Sequence, residues 1–557
     1  MTKQQNDSTL LDKAVALLKQ SNIAEAETVL LALLEQSPKN LDALYYLSLV
    51  KFNTGQTAEA IASLERALKI APDDLRSLSS LANIHGHSGN AKKGIELYQR
   101  CIAQDSKNAN FQYSYASFLV LDSRANEAIE YFLAAIKLQP NWPEPYSALA
   151  KVHQNSNRYD LAESLLMQAV QNKVFTVPII LQLCELMEHQ GQTTKAKELL
   201  STGLAVHKGN LSLLNELVRL DKSYATSNLK QQLSAIPSNQ LAPNDRFCQQ
   251  YMLASCEKNA KNYPAEMALL IEAHKIIKAT RTFNLNNDFY FDTLANRKLS
   301  PNNTLASSNT TKLSDYEPVF IVGVPRSGST LIENVICSAN VEILRGEEVN
   351  AVSTAIAHVL QSEPFGETDI DPNKLIAPVA QIYHSVNLLE KGKRFTDKSL
   401  ENVLYIDLLL ALFPKAKIIY CDRSPIDSIV SVIRNVLSSL SWAHEIEEIL
   451  KYFELCFSSI AEAKAMFPKQ IYTFDYEAFI ANSEDESRAL LAFCEIEWNE
   501  DCLQFHQDKN KVSRTTSTAQ IRQGVNKKGL NAGSEHLPFF EPYMERFPWL
   551  RFKAVEN

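Results

Sequence analysis

At 557 residues the chain exceeds one ordinary core, and about 150 residues per domain predicts three or four folding units. With 45% hydrophobic and 22% charged residues and 15 glycines, the composition is that of a globular protein and excludes a fibrous or disordered one. A net charge of -8 and a pI near 5.9 argue against a general nucleic-acid binder, while leaving room for a local basic patch around a small anion. The nine cysteines are scattered, odd in number and form no Cys-x-x-Cys pair, which predicts reduced thiols. The N-terminal stretch from Met1 to Asp7 is polar, and no segment approaches the roughly 20 apolar residues of a membrane span. No membrane segment and a cytoplasmic location are expected.

From the N-terminus onward, a shift of 34 residues lays the chain on itself. It aligns Pro38, Pro72, Ser106 and Pro140 in polar breaks between apolar-periodic segments. It also aligns the small residues Ala26, Ala60, Gly94, Ala128, Ala162 and Ala196 with the bulky Leu30, Leu64, Tyr98, Phe132, Leu166 and Leu200 four positions later. A third series, Ser21, Gly55, Gly89, Ser123, Asn157 and Gly191, supplies turn formers. Small residues let two helices approach, the bulky residue one turn on fills the groove, and the turn formers end the first helix of each pair. Such a unit cannot bury its apolar face alone, so several must stack into a solenoid with a concave surface. The pattern resembles the tetratricopeptide repeat, with about six units over residues 8–210, although the aromatic and glycine positions of the family's first helix are mostly replaced. The array reads as a docking surface for a protein or peptide; the plainer reading is a spacer or a homodimerisation element.

Residues 211–298 continue as helix-forming sequence with a weakened period, read as degenerate repeats or a cap on the solenoid. Residues 299–315 follow as a linker, rich in Ser, Asn, Thr and Pro from Leu299 to Thr311. A new domain, residues 316–552, is predicted to begin there.

Its first element is a strand-forming run, Pro318-Val-Phe-Ile-Val322, followed by Gly323-Val-Pro-Arg-Ser-Gly-Ser-Thr330 and a helical pattern from Leu331. Strand, tight loop and helix together aim backbone N–H groups and the positive end of the helix dipole at one point, which makes an anion cradle. In the nucleotide-triphosphatase version of this loop a lysine reaches the outer phosphates. Here Ser329 stands in the lysine position and Arg326 carries the charge, which disfavours a kinase or ATPase.

Pro325-Arg-Ser-Gly-Ser-Thr330 resembles the 5′-phosphosulfate loop of sulfotransferases that use 3′-phosphoadenosine 5′-phosphosulfate (PAPS), closest in style to protein-tyrosine sulfotransferases and their bacterial relatives fused to tetratricopeptide repeats. The resemblance implies a P-loop-like α/β domain with a central parallel sheet, and PAPS as co-substrate with no metal. Pro325, Arg326, Ser327, Gly328, Ser329 and Thr330 would hold the 5′ end of PAPS. Arg345-Gly-Glu-Glu348 stands where that group carries Gly-Glu-Glu, and a carboxylate there takes the acceptor's proton. Matching to the tyrosine-sulfating enzymes puts the base at Glu348, whereas relatives with one glutamate after the glycine favour Glu347. Phe395-Thr-Asp-Lys-Ser-Leu400 resembles the segment whose lysine, here Lys398, stabilises charge on the leaving phosphate.

A second strand, Lys415–Tyr420, leads through Arg423 into a helix carrying Ser431, and this pair matches the family's 3′-phosphate grip. A third strand-like run, Gln470–Phe474, precedes Tyr476, a candidate for the nucleotide pocket. Within Ser513–Gln523, Ser517 matches the serine that meets the transferred group, and Arg522 substitutes for a lysine the family carries at the Gln523 position. The chain is thus expected to move a sulfuryl group from PAPS to a hydroxyl, with Glu348 as base and Arg326, Lys398 and Ser517 stabilising charge. A protein or peptide tyrosine docked on the repeats is the favoured acceptor. A carbohydrate or small-molecule acceptor, or an inactive nucleotide-binding domain on a repeat scaffold, are the alternatives.

Overall fold

The computed structural model describes residues 3–122, 124–156, 158–283, 290–291, 297, 299, 312–362, 370–391, 394–507 and 524–551. Turn positions Ser123 and Asn157, residues 300–311 of the expected linker, and Ser517, Arg522 and Gln523 lie outside the described residues. The chain divides into two compact units, residues 1–186 and 187–557.

The first unit is built from α1 (Lys3–Lys19), α2 (Ile23–Gln36), α3 (Leu41–Asn53), α4 (Thr57–Ile70), α5 (Leu75–His87), α6 (Ala91–Gln104), α7 (Ala109–Leu121), α8 (Ala125–Leu138), α9 (Pro143–Asn155), α10 (Tyr159–Gln171) and most of α11 (Val177–His189). The 34-residue series become its repeating contacts. Ser21, Gly55 and Gly89 have φ of 60°, 78° and 79°, left-handed values that break the first helix of each pair. Ala26, Ala60, Ala128 and Ala162 are fully buried, and at Gly94 a Cβ would lie 2.3 Å from the Phe118 ring, so only glycine admits that aromatic. Leu30, Leu64 and Leu166 are also fully buried, each contributing roughly 2 kcal/mol. A further series at the same period opens α3, α5 and α7: the side chains of Asn40, Asp74 and Asn108 accept from the backbone N–H of Ala43, Ser77 and Phe111.

The second unit begins with helices α12 (Thr193–Val206), α13 (Leu211–Leu220), α14 (Ser227–Ser234), α15 (Pro243–Asn259) and α16 (Tyr263–Thr280). An α/β fold follows: β1 (Val319–Gly323), α17 (Ser329–Ala339), α18 (Ala351–Ser362), α19 (Pro372–Ser385), α20 (Leu388–Lys391), β2 (Thr396–Asp397), α21 (Ile406–Leu412), β3 (Lys417–Asp422), α22 (Pro425–Asn435), α23 (Ile446–Met466), β4 (Ile471–Asp475), α24 (Tyr476–Ala481) and α25 (Ser483–Phe493). The four strands are parallel in the order β2-β1-β3-β4. Every residue of β1 is buried, as expected of a central parallel strand covered on both faces.

Strand pleating splits the buried residues into two layers. Phe320, Val322, Ile418 and Tyr420 face one core with α19, α21 and α23. Val319, Ile321, Ile419, Cys421 and Phe474 face the other, with Ile332 and Val335 of α17 and Leu490 of α25. Ala254, Met267 and Leu270, from α15 and α16, belong to the first of these cores. The join is also polar: Glu266 accepts two bonds from Arg434, at 2.7 and 2.9 Å, and lies 3.2 Å from His536, while His274 contacts His444 and the Ile433 carbonyl.

Candidate active site

Register gathers the site. Gly323 of β1 pairs with Cys421 of β3, and Asp422 of β3 with Asp475 of β4, so the residues that leave these strands emerge side by side. Crevices at the carboxyl ends of parallel strands are where α/β folds bind ligands. Each strand here delivers one candidate at that end: Lys398 after β2, the loop from Val324 to Gly328 after β1, Arg423 after β3 and Tyr476 after β4.

The loop curls tightly. Arg326 has φ 70° and Gly328 φ 99°, both left-handed, and Gly328 caps α17 without offering a side chain to the first-turn N–H groups. A Cβ at Gly328 would lie 2.6 Å from the Tyr476 ring, which is why the aromatic after β4 can close over the loop. The Arg423 guanidinium lies over the same ring, 4.5 Å from its centroid. Arg423 also donates to the carbonyls of Arg326 (2.7 Å) and Gly529 (2.5 Å), while its Nε has no hydrogen-bond partner among the described residues.

Arg326 turns toward α22, where its Nε donates to Ser431 Oγ at 3.0 Å. Ser431 therefore meets the loop arginine directly, and Arg423 approaches the same loop through its backbone. Burial and the neighbouring Arg423 charge push the Arg326 guanidinium down to about 10. Two cations so close, one of them largely desolvated, form a place where a polyanion is favoured.

Glu348 faces this cavity with its side chain about half exposed, and its Oε1 accepts from the Lys398 ammonium at 2.6 Å. Lys398 is fully buried. Burial would lower its pKa, but the carboxylates of Glu348, Glu333 and Glu347 outweigh that and hold it above the usual lysine value. The backbone of Glu347 is tied to its surroundings: its N–H donates to Glu333 and its carbonyl accepts from the Lys398 N–H. Of the two glutamates that sequence left open, Glu348 is the one among the residues that line the cavity.

Pro325, Arg326, Gly328, Ser329, Thr330, Glu348, Arg423, Ser431 and Tyr476 line one cavity of about 780 Å³, whereas Ser327 is buried beneath the loop. Ser517 and Arg522 lie outside the described residues. The opposite wall comes from the helices before the sheet, and sequence reading had not placed it at the site. Tyr251, Ala254, Ser255 and Lys258 line the cavity from α15, with Arg219 and Lys222 at the end of α13. Their spacing of three, four and seven residues marks one helical face, as does the set Asp427, Ser431, Arg434 and Asn435 on α22. That periodicity was available, but nothing in it says which cavity the face meets.

Arg219 pairs with Glu188 and Glu216, and Arg434 with Glu266, whereas Lys222 and Lys258 make no ion pair among the described residues. Enclosure by the cavity walls, and then the charges of Lys258, Arg219 and Arg434, push Lys222 down to about 8, although its side chain stays open to water inside the cavity.

The geometry defines a phosphate-type loop with a carboxylate and several cations. Residues 318–500 match the Sulfotransferase family model, and residues 11–74 and 80–143 match the Tetratricopeptide repeat model. The C-terminal unit thus carries a sulfotransferase-family domain, and the N-terminal unit is a tetratricopeptide-type solenoid. An uncharacterized protein of Aquifex aeolicus is 23% identical, with the match covering 96% of this chain and 73% of that protein. The protein-tyrosine sulfotransferase of Drosophila melanogaster is 27% identical over 247 residues, 40% of this chain and 47% of its own length. The chain therefore spans about half of that relative. Among solved structures, the crystal structure of MamA aligns at 18% identity with a TM-score of 0.28, covering 29% of this chain and 94% of its own. No helix among the described residues is long and apolar enough to cross a membrane.

Proposed function

We propose that the C-terminal unit transfers a sulfuryl group from PAPS to an acceptor hydroxyl. The observation that carries this reading is the meeting, in one cavity, of the anion loop, Arg326 with Ser431, Arg423 with Tyr476, and the carboxylate of Glu348. The cavity's volume suits a nucleotide and an acceptor group together. The fit is chemical as well: the loop leads into α17 with no side-chain cap at its N-terminus, and the Arg423 Nε has no hydrogen-bond partner among the described residues.

Bound there, PAPS supplies the activated sulfuryl group. The acceptor oxygen forms the new S–O bond, the bond from sulfur to the bridging phosphate oxygen breaks, and adenosine 3′,5′-bisphosphate leaves. In this reading Glu348 takes the acceptor's proton, the loop N–H groups and Arg326 offset charge that develops as the phosphate leaves, and Arg423 with Ser431 holds the 3′-phosphate. Lys398, whose ammonium donates to Glu348 at 2.6 Å, adds a fixed positive charge that offsets charge on the leaving phosphate. Ser517 and Arg522 complete the set as assigned from sequence.

The acceptor in this proposal is a protein or peptide hydroxyl, with tyrosine favoured by the likeness to a tyrosine sulfotransferase and by repeats of a type that docks peptides. Radiolabelled PAPS incubated with the protein and fractionated cell extract, with ATP as the control donor, is expected to label macromolecular acceptors; labelling only of small molecules would overturn the acceptor class. Glu348→Gln is expected to lower transfer by about 100-fold to 10,000-fold while bisphosphate binding stays near normal. Unchanged turnover in that variant removes Glu348 as base.

A further inference from the structure

The loop that carries Glu348 is held from behind by buried carboxylates. Glu347 has φ 56° and Asn350 φ 54°, so Glu348 lies between two left-handed residues, a backbone that persists only where its surroundings impose it. At Gly346 a Cβ would lie 2.1 Å from the Thr396 carbonyl, so the loop presses directly on β2. Glu333, on α17, is fully buried, and its Oε1 accepts from the Glu347 N–H at 3.0 Å and from Thr396 Oγ1 at 2.9 Å. Its Oε2 lies 3.6 Å from the Arg345 guanidinium, and Thr396 Oγ1 in turn accepts from the Gly346 N–H at 3.3 Å.

The far end of the loop is fixed in the same manner. Ser399 Oγ accepts from the Asn350 N–H at 2.7 Å and donates to Asp397 at 2.5 Å, and Asp397 also receives the Tyr383 hydroxyl at 2.6 Å. Between these ties, Lys398 N–H donates to the Glu347 carbonyl at 2.7 Å. Residues 346–350 thus run along residues 396–399 with polar ties at both ends. A carboxylate is tolerated in the interior where it is paired and hydrogen-bonded, and Glu333 meets that condition through the loop amide, Thr396 and Arg345, which ties the loop to it.

Glu333 stands three residues after Thr330, the last residue of the anion loop, on the helix whose N-terminus that loop caps. One rigid helix therefore touches both the anion cradle and the loop of the candidate base. We propose that Glu333 is a positioning residue that sets the place of the Glu348 carboxylate relative to the anion loop, with Asp397 and Ser399 fixing the other end. The proposal rests on Glu348 being the base. Its geometric part, the restraint on residues 346–350, stands apart from that assignment.

Hydrogen exchange on the full-length protein reads the restraint, and turnover of PAPS with a tyrosine-containing peptide as probe acceptor reads its consequence. Glu333→Ala is expected to speed exchange across residues 345–350 by about tenfold or more, with the β1 and β3 amides unchanged. In the same variant kcat falls about 100-fold, as a misplacement near 1 Å produces, while KM for PAPS and bisphosphate affinity move less than about threefold. Glu333→Gln keeps an oxygen for the Glu347 and Thr396 donors and is expected to restore both readouts to within about threefold of the parent.

Should Glu333→Ala fail to fold, Thr396→Val removes the hydroxyl between Glu333 and Gly346 without changing size, and faster loop exchange is expected there too. Unchanged loop exchange in the folded variants overturns the proposal. So does a kcat within twofold of the parent in Glu333→Ala when Glu348→Gln is inactive. If Glu348→Gln turns over normally while loop exchange still rises in Glu333→Ala, the base assignment fails and the restraint survives.

Discussion

In the first unit these side chains meet partners less than one repeat away in the chain: Leu30 shares a core with Ala43 and Leu47, and the cap of Asp74 serves Ser77. In the second, the cavity draws on Arg219, Tyr251, Arg326, Glu348, Arg423, Tyr476 and Gly529, segments more than 300 residues apart in the chain. The solenoid is a sum of near-neighbour terms, so loss at one place stays local. The C-terminal unit is a closed set of coupled contacts in which a residue far from the anion loop in sequence can shape the site. The difference bears on where the candidate site lies: among the described residues, charges from several elements of the second unit converge on one cavity.

The strongest test of that coupling is Glu266. Its carboxylate is almost wholly buried, shared between Arg434 on the helix of Ser431 and His536, and it binds α16 to the α/β fold. Glu266→Ala leaves Arg434 without its ion pair and is expected to destabilise the C-terminal unit by about 3–5 kcal/mol in denaturant unfolding. The pH dependence follows with a definite sign. Burial would raise the Glu266 carboxyl, but hydrogen bonds from His536 and Arg434 and their charges hold it down to about 2. Its contribution is therefore complete above the ordinary carboxylate range near pH 4.5 and is lost as pH falls toward 2. The variant's stability should be flatter across that window, and an equal slope in both proteins would show that Glu266 is not the group responsible.

A smaller effect is expected at Arg423. Its guanidinium holds the Arg326 and Gly529 carbonyls and stacks on Tyr476, so truncation loses both a charge for the ligand and part of the loop's support. Arg423→Ala is expected to weaken adenosine 3′,5′-bisphosphate binding by about 1.5–3 kcal/mol, roughly 10-fold to 150-fold, measured by titration calorimetry. Affinity unchanged by this substitution would leave the 3′-phosphate to other cations of the cavity wall, such as Arg326 and Arg434.

The unequal legibility of the two units has the same physical origin. Ser21, Gly55 and Gly89 could be picked out because a left-handed turn recurs at a fixed interval, and a repeat announces its own geometry. The run from Val319 to Val322 and the glycines after it likewise announce a strand and an anion loop. Helices α15 and α16 were legible as helices but not as a wall of the cavity, because amphipathic spacing shows that a face is buried and says nothing about what covers it. The bond from Arg326 to Ser431 was hidden for a related reason: residue types and spacing fix the ends of a long side chain's reach, while its direction depends on packing around Tyr476 and Arg423. Glu333 was invisible in the same way, since one glutamate in a helical run resembles a solvated one until β2 is laid beside it.

The smallest effect belongs to the solenoid. Asp74 accepts from the Ser77 N–H at 3.0 Å and from its hydroxyl at 2.6 Å, satisfying donors that open α5, and Asn40 and Asn108 play the same part for α3 and α7. Removing one cap costs about 1 kcal/mol, because water can take over a first-turn N–H at only partial loss. Asp74→Ala is thus expected to lower the stability of the repeat unit by that amount and to leave bisphosphate affinity unchanged. With Asn40→Ala and Asn108→Ala the losses should add, since the caps lie on different helix pairs and share no partner. Losses well beyond additivity would mean that the repeats unfold through a shared interface more cooperative than pairwise stacking, and the contrast between a local solenoid and a coupled C-terminal unit would narrow accordingly.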